Sequence, residues 1–143
     1  MATVSKAETR WQGGLADGHG SVHVDSGVFS DFEVTWAARA ERRHGATSPE
    51  ELLAAAHAAC FSMALSNALG QAGHKPDELD VSAEVTFQPG EGITGIVLNV
   101  RGKVPGLDAE GFSKAAEDAK AGCPVSKALA GTKISLGSAQ LAG

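Results

Sequence analysis

The sequence has few of the features that mark a secreted, nucleic-acid-binding or metal-binding protein. Two cysteines in 143 residues are too few for a disulfide scaffold, so they are either unrelated core thiols or a redox pair. The formal net charge is −5, and the one basic cluster, "RAERRH", is short, which disfavours binding to nucleic acid. The cysteines lack the CxxC spacing of a zinc site, and "GGLADGHG" lacks the strand–loop–helix setting of a phosphate loop.

The N-terminal stretch "MATVSKAETRW" has no apolar segment of the kind that a secretory signal requires, so we expect no export. One run, residues 47–73, is long and apolar enough to raise the question of a membrane span. It is rich in alanine and carries His57 and other polar side chains, so a buried core helix is the better interpretation. We therefore expect a cytoplasmic protein without a membrane partner.

Length and composition predict one globular domain over residues 1–143. Hydrophobic residues make up 43% of the chain and charged residues 20%, which is an ordinary balance for a protein with a core. The 18 glycines indicate several tight turns or bulges. No internal repeat or low-complexity linker divides the sequence.

The first part of the chain has the pattern of β structure. Residues 4–40 carry short alternating apolar runs, such as Phe32, Val34 and Trp36, separated by glycines. This pattern predicts strands up to residue 40 and a polar loop over residues 41–47.

A long helix should follow the loop. Ser48 can cap it, Pro49 suits its first position, and Glu51 stands three residues after Ser48, as in a capping box. Gly73 is the expected stop, which gives about 24 residues, or about 36 Å of helix. Since this helix is apolar on most sides, we expect other elements to surround it.

The second half should contain a β-hairpin and a last strand. The stretches "DVSAEVTFQ" and "GITGIVLNVRGKV" flank the turn signal "PGEG", and "TKISLGSAQL" ends the chain as a strand. The predicted order is β-β-β-α-β-β-α-α-β, which indicates an α+β fold with mainly antiparallel pairing.

Two helices lie between the hairpin and the last strand. The stretch "LDAEGFSKAAEDAKAG" predicts an amphipathic helix capped by Asp108 and ended by Gly122. The stretch "CPVSKALAG" predicts a short helix with Cys123 at its N-cap and proline at its first position.

Both cysteines are candidate reactive thiols, for different reasons. Cys123 lies where the short helix begins, and helix N-termini favour anions and lower the pKa of a thiol. Cys60 lies in the middle of the long helix among apolar neighbours, so burial would raise its pKa and make it inert unless a cation is brought to it. The residues alone leave open whether Cys60 is inert or reactive.

Other side chains of the long helix also have two interpretations. Glu51 should cap the helix, whereas Glu50 is either a solvated acid of the first turn or the residue that holds an arginine. His57, three residues before Cys60, is either a core histidine with one hydrogen bond, which we favour, or the base of a Cys–His pair.

Two long motifs resemble the OsmC/Ohr family of bacterial thiol peroxidases, and within it the OsmC (osmotically inducible) branch. They are "TSPEELLAAAHAACFSMALS" and, about sixty residues later, "AGCPVSKAL", in the family's order and with a hairpin and a helix between them. The stretch "DSGVFSDFEVTW" and the final strand also fit. The resemblance implies antiparallel sheets wrapped around a long central helix, in an intertwined homodimer with two active sites at the subunit interface.

The resemblance also implies a chemistry. Cys60 matches the family's peroxidatic cysteine and Cys123 its resolving cysteine, which reverses the order that the helix-terminus argument favours. The Cys60 thiolate would attack an organic hydroperoxide, release an alcohol and become a sulfenic acid, which condenses with Cys123 to a disulfide. A protein dithiol of the dihydrolipoyl type would reduce that disulfide, so no bound cofactor or metal is implied.

The activating arginine is implied less directly. Glu50 matches the family's arginine-holding glutamate, and Arg39, on the strand before the loop, is the best match for its partner, with Arg42 and Arg43 as alternatives. Glu50 and Cys60 are ten residues apart on one predicted helix, or about 15 Å. We therefore expect composite active sites, in which Glu50 of one chain lies near Cys60 of the other.

Three functions are compatible with these features. The first is an organic hydroperoxide reductase with an antioxidant role in the osmotic stress response. The second is a redox-sensing or ligand-binding dimer that uses the same cysteines without efficient turnover, and the third is a structural dimer with incidental thiols. The expected arginine and glutamate favour the first, because a sensor need not cleave O–O bonds quickly.

Overall fold

The structure is a computed structural model and describes residues 1–42 and 45–142. The chain divides into two compact units, Met1–Leu52 and Leu53–Gly143. The single domain over residues 1–143 stays a prediction.

The first unit contains a three-stranded antiparallel sheet followed by a short helix. Its strands are β1 (Ala7–Gln12), β2 (His19–Val24) and β3 (Phe32–Val34), in that order across the sheet. The helix is α1 (Trp36–Glu41). The strands lie within the region that the sequence predicts to be β structure.

Helix α1 corrects the prediction of strands up to residue 40. Trp36 continues the apolar alternation of β3, which suggested a longer strand. However, the hydroxyl oxygen of Thr35 accepts a hydrogen bond from the N–H of Ala38 at 3.0 Å and so caps a helix. The alanines that follow have the highest helix propensity, so capping and propensity outweigh a short alternation.

The second unit is built on α2 (Pro49–Gln71), whose first residues belong to the first unit. The predicted hairpin is present as β4 (Glu78–Gln88) and β5 (Gly92–Lys103). Three further elements follow in the chain, namely α3 (Ala109–Gly122), α4 (Pro124–Ala128) and β6 (Ile134–Leu141). Helices α3 and α4 begin where the sequence predicts, with Asp108 and Cys123 as their N-caps.

Both ends of α2 follow the prediction, with one change in the cap. The N–H of Glu51 donates to Ser48 Oγ at 3.1 Å, as in a capping box. The carboxylate of Glu51 accepts a hydrogen bond from the hydroxyl of Thr47, whereas a capping box would direct it to the N–H of Ser48. At the other end, Gly73 has a φ of +87°, the left-handed conformation that closes a Schellman motif and that glycine adopts without strain.

The second sheet is mixed. Its order is β4-β5-β6, and β4 is antiparallel to β5, but β6 is parallel to β5. The pairing is therefore mainly antiparallel, as predicted, with one parallel pair, and the α+β class is confirmed. A parallel pair needs a long crossover, and α3 and α4 supply one between β5 and β6.

One face of α2 lies in the core of the second unit. The core cluster comprises Phe61, Leu65 and Leu69 of α2, Leu98 and Val100 of β5, Val104, Phe112, Ala116 and Ala119, and Cys123. Burying one such large apolar side chain contributes about 1.5–3 kcal/mol, so the cluster holds α2 and Cys123 in place.

The other face of α2 is apolar but exposed in the single chain. Ala55, Ala59 and Met63 lie on it, and Met63 is 73% exposed. The chain alone therefore does not surround α2 as the sequence analysis expected. In the described ranges, 1–42 and 45–142, α2 is the one helix long and apolar enough to cross a membrane, a property that core helices of soluble proteins share.

Candidate active site

The candidate residues fall into two sets, one in each compact unit. Arg39 and Glu50 lie in the first unit, and Cys60, Cys123 and His57 lie in the second. Each set has its own geometry and its own electrostatics.

Arg39 and Glu50 form an ion pair through two guanidinium nitrogens. Arg39 Nε donates to Glu50 Oε1 at 2.9 Å and to Oε2 at 3.2 Å, and Nη2 donates to Oε2 at 2.9 Å. The glutamate side chain is 6% exposed and the arginine side chain 32% exposed. Such a pair fixes the plane of the guanidinium while the arginine keeps its charge. Of the two interpretations of Glu50, the structure shows the one in which it holds an arginine.

Arg39 lies in the last turn of α1 and not on a strand, which corrects the predicted location. A cation in that turn is favoured by the dipole of the helix. Arg42, the first alternative, is the exposed C-cap of α1 and has a left-handed backbone with a φ of 55°. Arg43, the second alternative, lies outside the described residues. The bonds to Glu50 favour Arg39 over Arg42.

Cys60 and Cys123 come together from α2 and from the start of α4. Their sulfur atoms lie 2.9 Å apart, and both are free thiols. Cys123 is fully buried and Cys60 is partly exposed. Two thiols at this separation can be joined to a disulfide by a small movement of the side chains.

The two thiols differ in acidity. Burial raises the pKa of Cys60, and its hydrogen bond with Cys123 raises it further. Burial also acts to raise the pKa of Cys123, but the Cys60 thiol, the N–H and hydroxyl of Ser126 and the N–H of Val125 together lower it below its ordinary value. Within one chain Cys123 is therefore the more acidic thiol, and Cys60 needs a cation to react as a thiolate.

His57 is fully buried and bonded to Ser126. Its Nε2 lies 2.7 Å from Ser126 Oγ, and in the part of the chain that the structure describes nothing pairs with its Nδ1. Burial lowers the pKa of His57, so its ring is neutral. This arrangement matches the favoured interpretation, a core histidine with one hydrogen bond.

Ser126 is a residue of this site that the sequence analysis missed. It is buried at the third position of α4, three residues after the N-cap Cys123. In a capping box the residue at this third position reaches back toward the N-cap. That spacing is the signal in the sequence that could have identified it.

Comparison with known proteins identifies the family to which this chain belongs. A family model described as "OsmC-like protein" matches residues 42–137. The peroxiredoxin OsmC of Escherichia coli (strain K12) is 44% identical over 132 residues, which cover 90% of this chain and 92% of that protein.

Two solved structures have the same fold. The organic hydroperoxide resistance protein OhrB of Bacillus subtilis is 31% identical, with a TM-score of 0.69 and coverage of 98% of both chains. The organic hydroperoxide resistance protein OsmC of Legionella pneumophila is 23% identical, with a TM-score of 0.75 and coverage of 100% of this chain and 99% of that one.

These similarities confirm the predicted enzyme class, a peroxidase. The identity is higher to the peroxiredoxin OsmC than to OhrB, which agrees with the branch that the motifs indicate. The family model covers more than half of the chain, and the 44% identical relative matches nearly all of it. The chain therefore belongs to the OsmC family.

Proposed function

We propose that this peroxidase reduces organic hydroperoxides to alcohols through a sulfenic acid on Cys60 and a disulfide between Cys60 and Cys123. The observation that carries the proposal is the 2.9 Å separation of the two sulfur atoms. The substrate class is supported by the name of the Bacillus subtilis relative, an organic hydroperoxide resistance protein.

The proposed cycle has three steps. The Cys60 thiolate attacks the distal peroxide oxygen, the O–O bond breaks, and the leaving oxygen takes up a proton to become an alcohol. The Cys123 thiolate then attacks the sulfur of the sulfenic acid, which forms the disulfide and releases water. A protein dithiol of the dihydrolipoyl type reduces the disulfide by exchange, so the electrons need no resident cofactor or metal.

An arginine makes Cys60 reactive in this proposal. The pKa of Cys60 is raised within the single chain, so a nearby cation is needed to stabilise its thiolate. A guanidinium also stabilises the charge that develops on the leaving oxygen, and it does not lose its proton. Arg39 is the proposed cation, because Glu50 holds its guanidinium plane.

The arginine and the thiol of one active site belong to different chains of a homodimer in this proposal. Glu50 and Cys60 are ten residues apart along α2, or about 15 Å. Two antiparallel copies of α2 would bring Glu50 of one chain near Cys60 of the other. The exposed apolar face of α2, with Met63 73% exposed, supports this assembly because a second chain would cover it.

A mass measurement tests the proposed chemistry. Treatment with cumene hydroperoxide should remove two hydrogens from the intact chain, and peptide mapping should place the new disulfide between Cys60 and Cys123. Dihydrolipoamide should restore the thiols and sustain peroxide consumption. If peroxide produces no disulfide, the proposal is wrong.

A redox sensor that uses the same cysteines is the second candidate. The raised pKa of Cys60 favours it, because a thiol that ionises poorly would react slowly with peroxide. The two candidates differ in turnover. A sensor would form the disulfide with one equivalent of hydroperoxide but would not sustain consumption when dihydrolipoamide is added.

The OsmC relatives indicate a soluble protein, in which α2 is a core helix. We propose the cytoplasm as its compartment, supported by the small number of cysteines, two in 143 residues, since disulfide-rich frameworks belong to oxidising compartments. The proposed role in the osmotic stress response has its support in the OsmC branch of the family.

A further inference from the structure

His57 and Ser126 form a second contact beside the two cysteines. On α2, His57 precedes Cys60 by three residues, and at the start of α4, Ser126 follows Cys123 by three residues. Within α2, residues three apart lie on neighbouring positions of one helix face, and at the start of α4 the third helical residue lies near the N-cap, as in a capping box. The His57–Ser126 contact of 2.7 Å therefore lies next to the sulfur–sulfur contact of 2.9 Å.

The unpaired nitrogen of His57 indicates the direction of this hydrogen bond. A neutral imidazole carries one N–H, and, among the residues described, Nδ1 is buried without a partner. A buried N–H that lacks an acceptor is rarer in proteins than a buried acceptor that lacks a donor. The hydrogen therefore belongs on Nε2, which donates to Ser126 Oγ and leaves the Ser126 proton available for another acceptor.

We propose that His57 and Ser126 prepare Cys123 for the second step of the cycle. Neutral His57 donates to Ser126, and the Ser126 hydroxyl proton points at the Cys123 sulfur and stabilises its thiolate. This inference rests on the proposed function, in which Cys123 attacks the sulfenic acid of Cys60. Ser126 acts on the reacting sulfur, and His57 is a positioning residue that acts through Ser126.

The electrostatics of Cys123 agree with this arrangement, since the Ser126 hydroxyl is among the groups that lower its pKa. During the step, the S–S bond forms and the S–O bond of the sulfenic acid breaks. The departing hydroxide combines with the proton that Cys123 has released, so water is produced. The Cys123 sulfur is oxidised, the Cys60 sulfur is reduced, and His57 and Ser126 keep their protons.

The expected changes in the pKa of Cys123 and in the rate of disulfide formation follow from the chemistry of thiols. Loss of one hydrogen bond to a thiolate should raise the pKa of Cys123 by about one unit. At a pH below that pKa the thiolate fraction falls about tenfold, but a more basic thiolate is more nucleophilic, which leaves disulfide closure about threefold slower.

A thiolate titration tests the proposal without peroxide. In the Cys60→Ser variant, the ultraviolet absorbance of the thiolate reports Cys123 alone. When Ser126→Ala or His57→Met is combined with Cys60→Ser, the titration midpoint of Cys123 should rise by about one pH unit. Added His57→Gln, which keeps an N–H donor, should restore the lower midpoint, and Ser113→Ala at an exposed position of α3 is the matched control. Circular dichroism checks that each variant is folded.

A single-turnover measurement tests the same pair in the chain with both cysteines. After one equivalent of cumene hydroperoxide, quenched samples follow the conversion of the sulfenic acid to the disulfide by intact mass. Ser126→Ala and His57→Met should slow this conversion about threefold, and His57→Gln should recover it.

Three results would overturn the inference. The first is an unchanged Cys123 midpoint in Ser126→Ala, and the second is an equal shift in His57→Gln and His57→Met, which would indicate a packing effect. The third is nitrogen-15 NMR that places the hydrogen of His57 on Nδ1. A wild-type chain that forms no disulfide would instead overturn the proposed function, while the titration in Cys60→Ser would still decide whether Ser126 acts on Cys123.

Discussion

Cys60 and Cys123 carry the same functional group, but their neighbours give them different acidities. Cys123 interacts with the N–H and hydroxyl groups at the start of α4, which lower its pKa despite burial. Cys60 lies within α2, where burial raises its pKa. In the proposed cycle the less acidic thiol reacts first, so its reactivity depends on a cation and the second thiol needs none.

Substitution of each cysteine should separate the two proposed steps. Cys60→Ser should abolish peroxide consumption, because the proposed cycle begins with a sulfenic acid at position 60 and Cys123 is fully buried. Cys123→Ser should leave the first oxidation intact, stop turnover, and expose Cys60 to oxidation beyond the sulfenic acid. Intact mass after one equivalent and after excess hydroperoxide distinguishes these species. Equal behaviour of the two variants would contradict the assignment of roles.

Substitution of Arg39 should affect both stability and reactivity. Arg39→Ala leaves the Glu50 carboxylate, 6% exposed, without its partner. We expect a stability loss of about 2 kcal/mol, below the loss of about 3–5 kcal/mol for a fully buried pair, because part of the arginine contacts water. The first oxidation should slow by about 10²-fold.

Urea unfolding and single-turnover kinetics measure these two effects of Arg39→Ala. Arg39→Lys, which keeps the charge but loses the planar fork, should lie between wild type and Arg39→Ala. Arg42→Ala is the control at the exposed end of α1. A larger loss of rate in Arg42→Ala or Arg43→Ala would assign the activating role to that residue instead.

His57 should make the fold less stable in mild acid. Its folded pKa is lowered by burial, whereas in the unfolded chain it titrates near the ordinary value of 6.5. Above that value neither state binds the proton. As the pH falls below it, only the unfolded chain is protonated, so stability falls by up to about 1.4 kcal/mol per pH unit until the folded pKa is reached.

Urea unfolding at about pH 7.5 and at about pH 5 measures this dependence, and His57→Gln removes the titrating group. The loss of stability between the two pH values should be smaller in His57→Gln than in the wild type. An equal loss in both proteins would show that His57 is protonated in the folded state.

At the scale of single elements, capping residues decide where the helices begin. Asp108 accepts a hydrogen bond from the N–H of Gly111 at 2.7 Å and caps α3, the helix that ends just before Cys123. Asp108→Ala should cost about 1 kcal/mol of stability, and Asp108→Asn, which keeps a side-chain acceptor, should cost much less. Thermal unfolding compares the two, and an equal loss would mean that the cap bond is not what stabilises this end.

Individual helices and strands also show which parts of the fold could be predicted from the sequence. The strand alternation of β4 and the N-cap positions of α2, α3 and α4 depend on residues at most four positions apart, and they were predicted. The bond of the Glu51 carboxylate to Thr47 was not. The strand assignment of Trp36 failed because a short alternation also fits a helix that Thr35 caps. The parallel pairing of β6 with β5 was not predicted, because strand direction depends on the path of α3 and α4.

At the scale of the whole molecule, the main feature is the apolar face of α2, which stays exposed to solvent in a single chain. Met63 is 73% exposed, and Met63→Glu would place a charge in the proposed dimer interface. We expect this variant to be monomeric and to lose most peroxide turnover, because in the proposed dimer the cation of each site comes from the other chain. Light scattering and cumene hydroperoxide turnover measure both, with Ser113→Glu on α3 as the surface control.

Two outcomes for Met63→Glu would contradict the composite site. A monomer with full activity would show that one chain supplies both the cation and the thiol. A dimer of unchanged stability would show that this face of α2 lies outside the interface.

The sequence by itself determined the elements that local rules govern, the two candidate thiols and the family motifs, because capping, alternation and motif spacing are relations between nearby residues. Tertiary structure decided how distant residues meet. The family motifs implied the pairs Glu50–Arg39 and Cys60–Cys123, and the structure gives their geometry. Only the structure gave His57 a partner in Ser126, a residue that the sequence had not singled out. These contacts join residues eleven to sixty-nine positions apart, and the packing of helices and burial, which no local rule encodes, set their geometry and acidity.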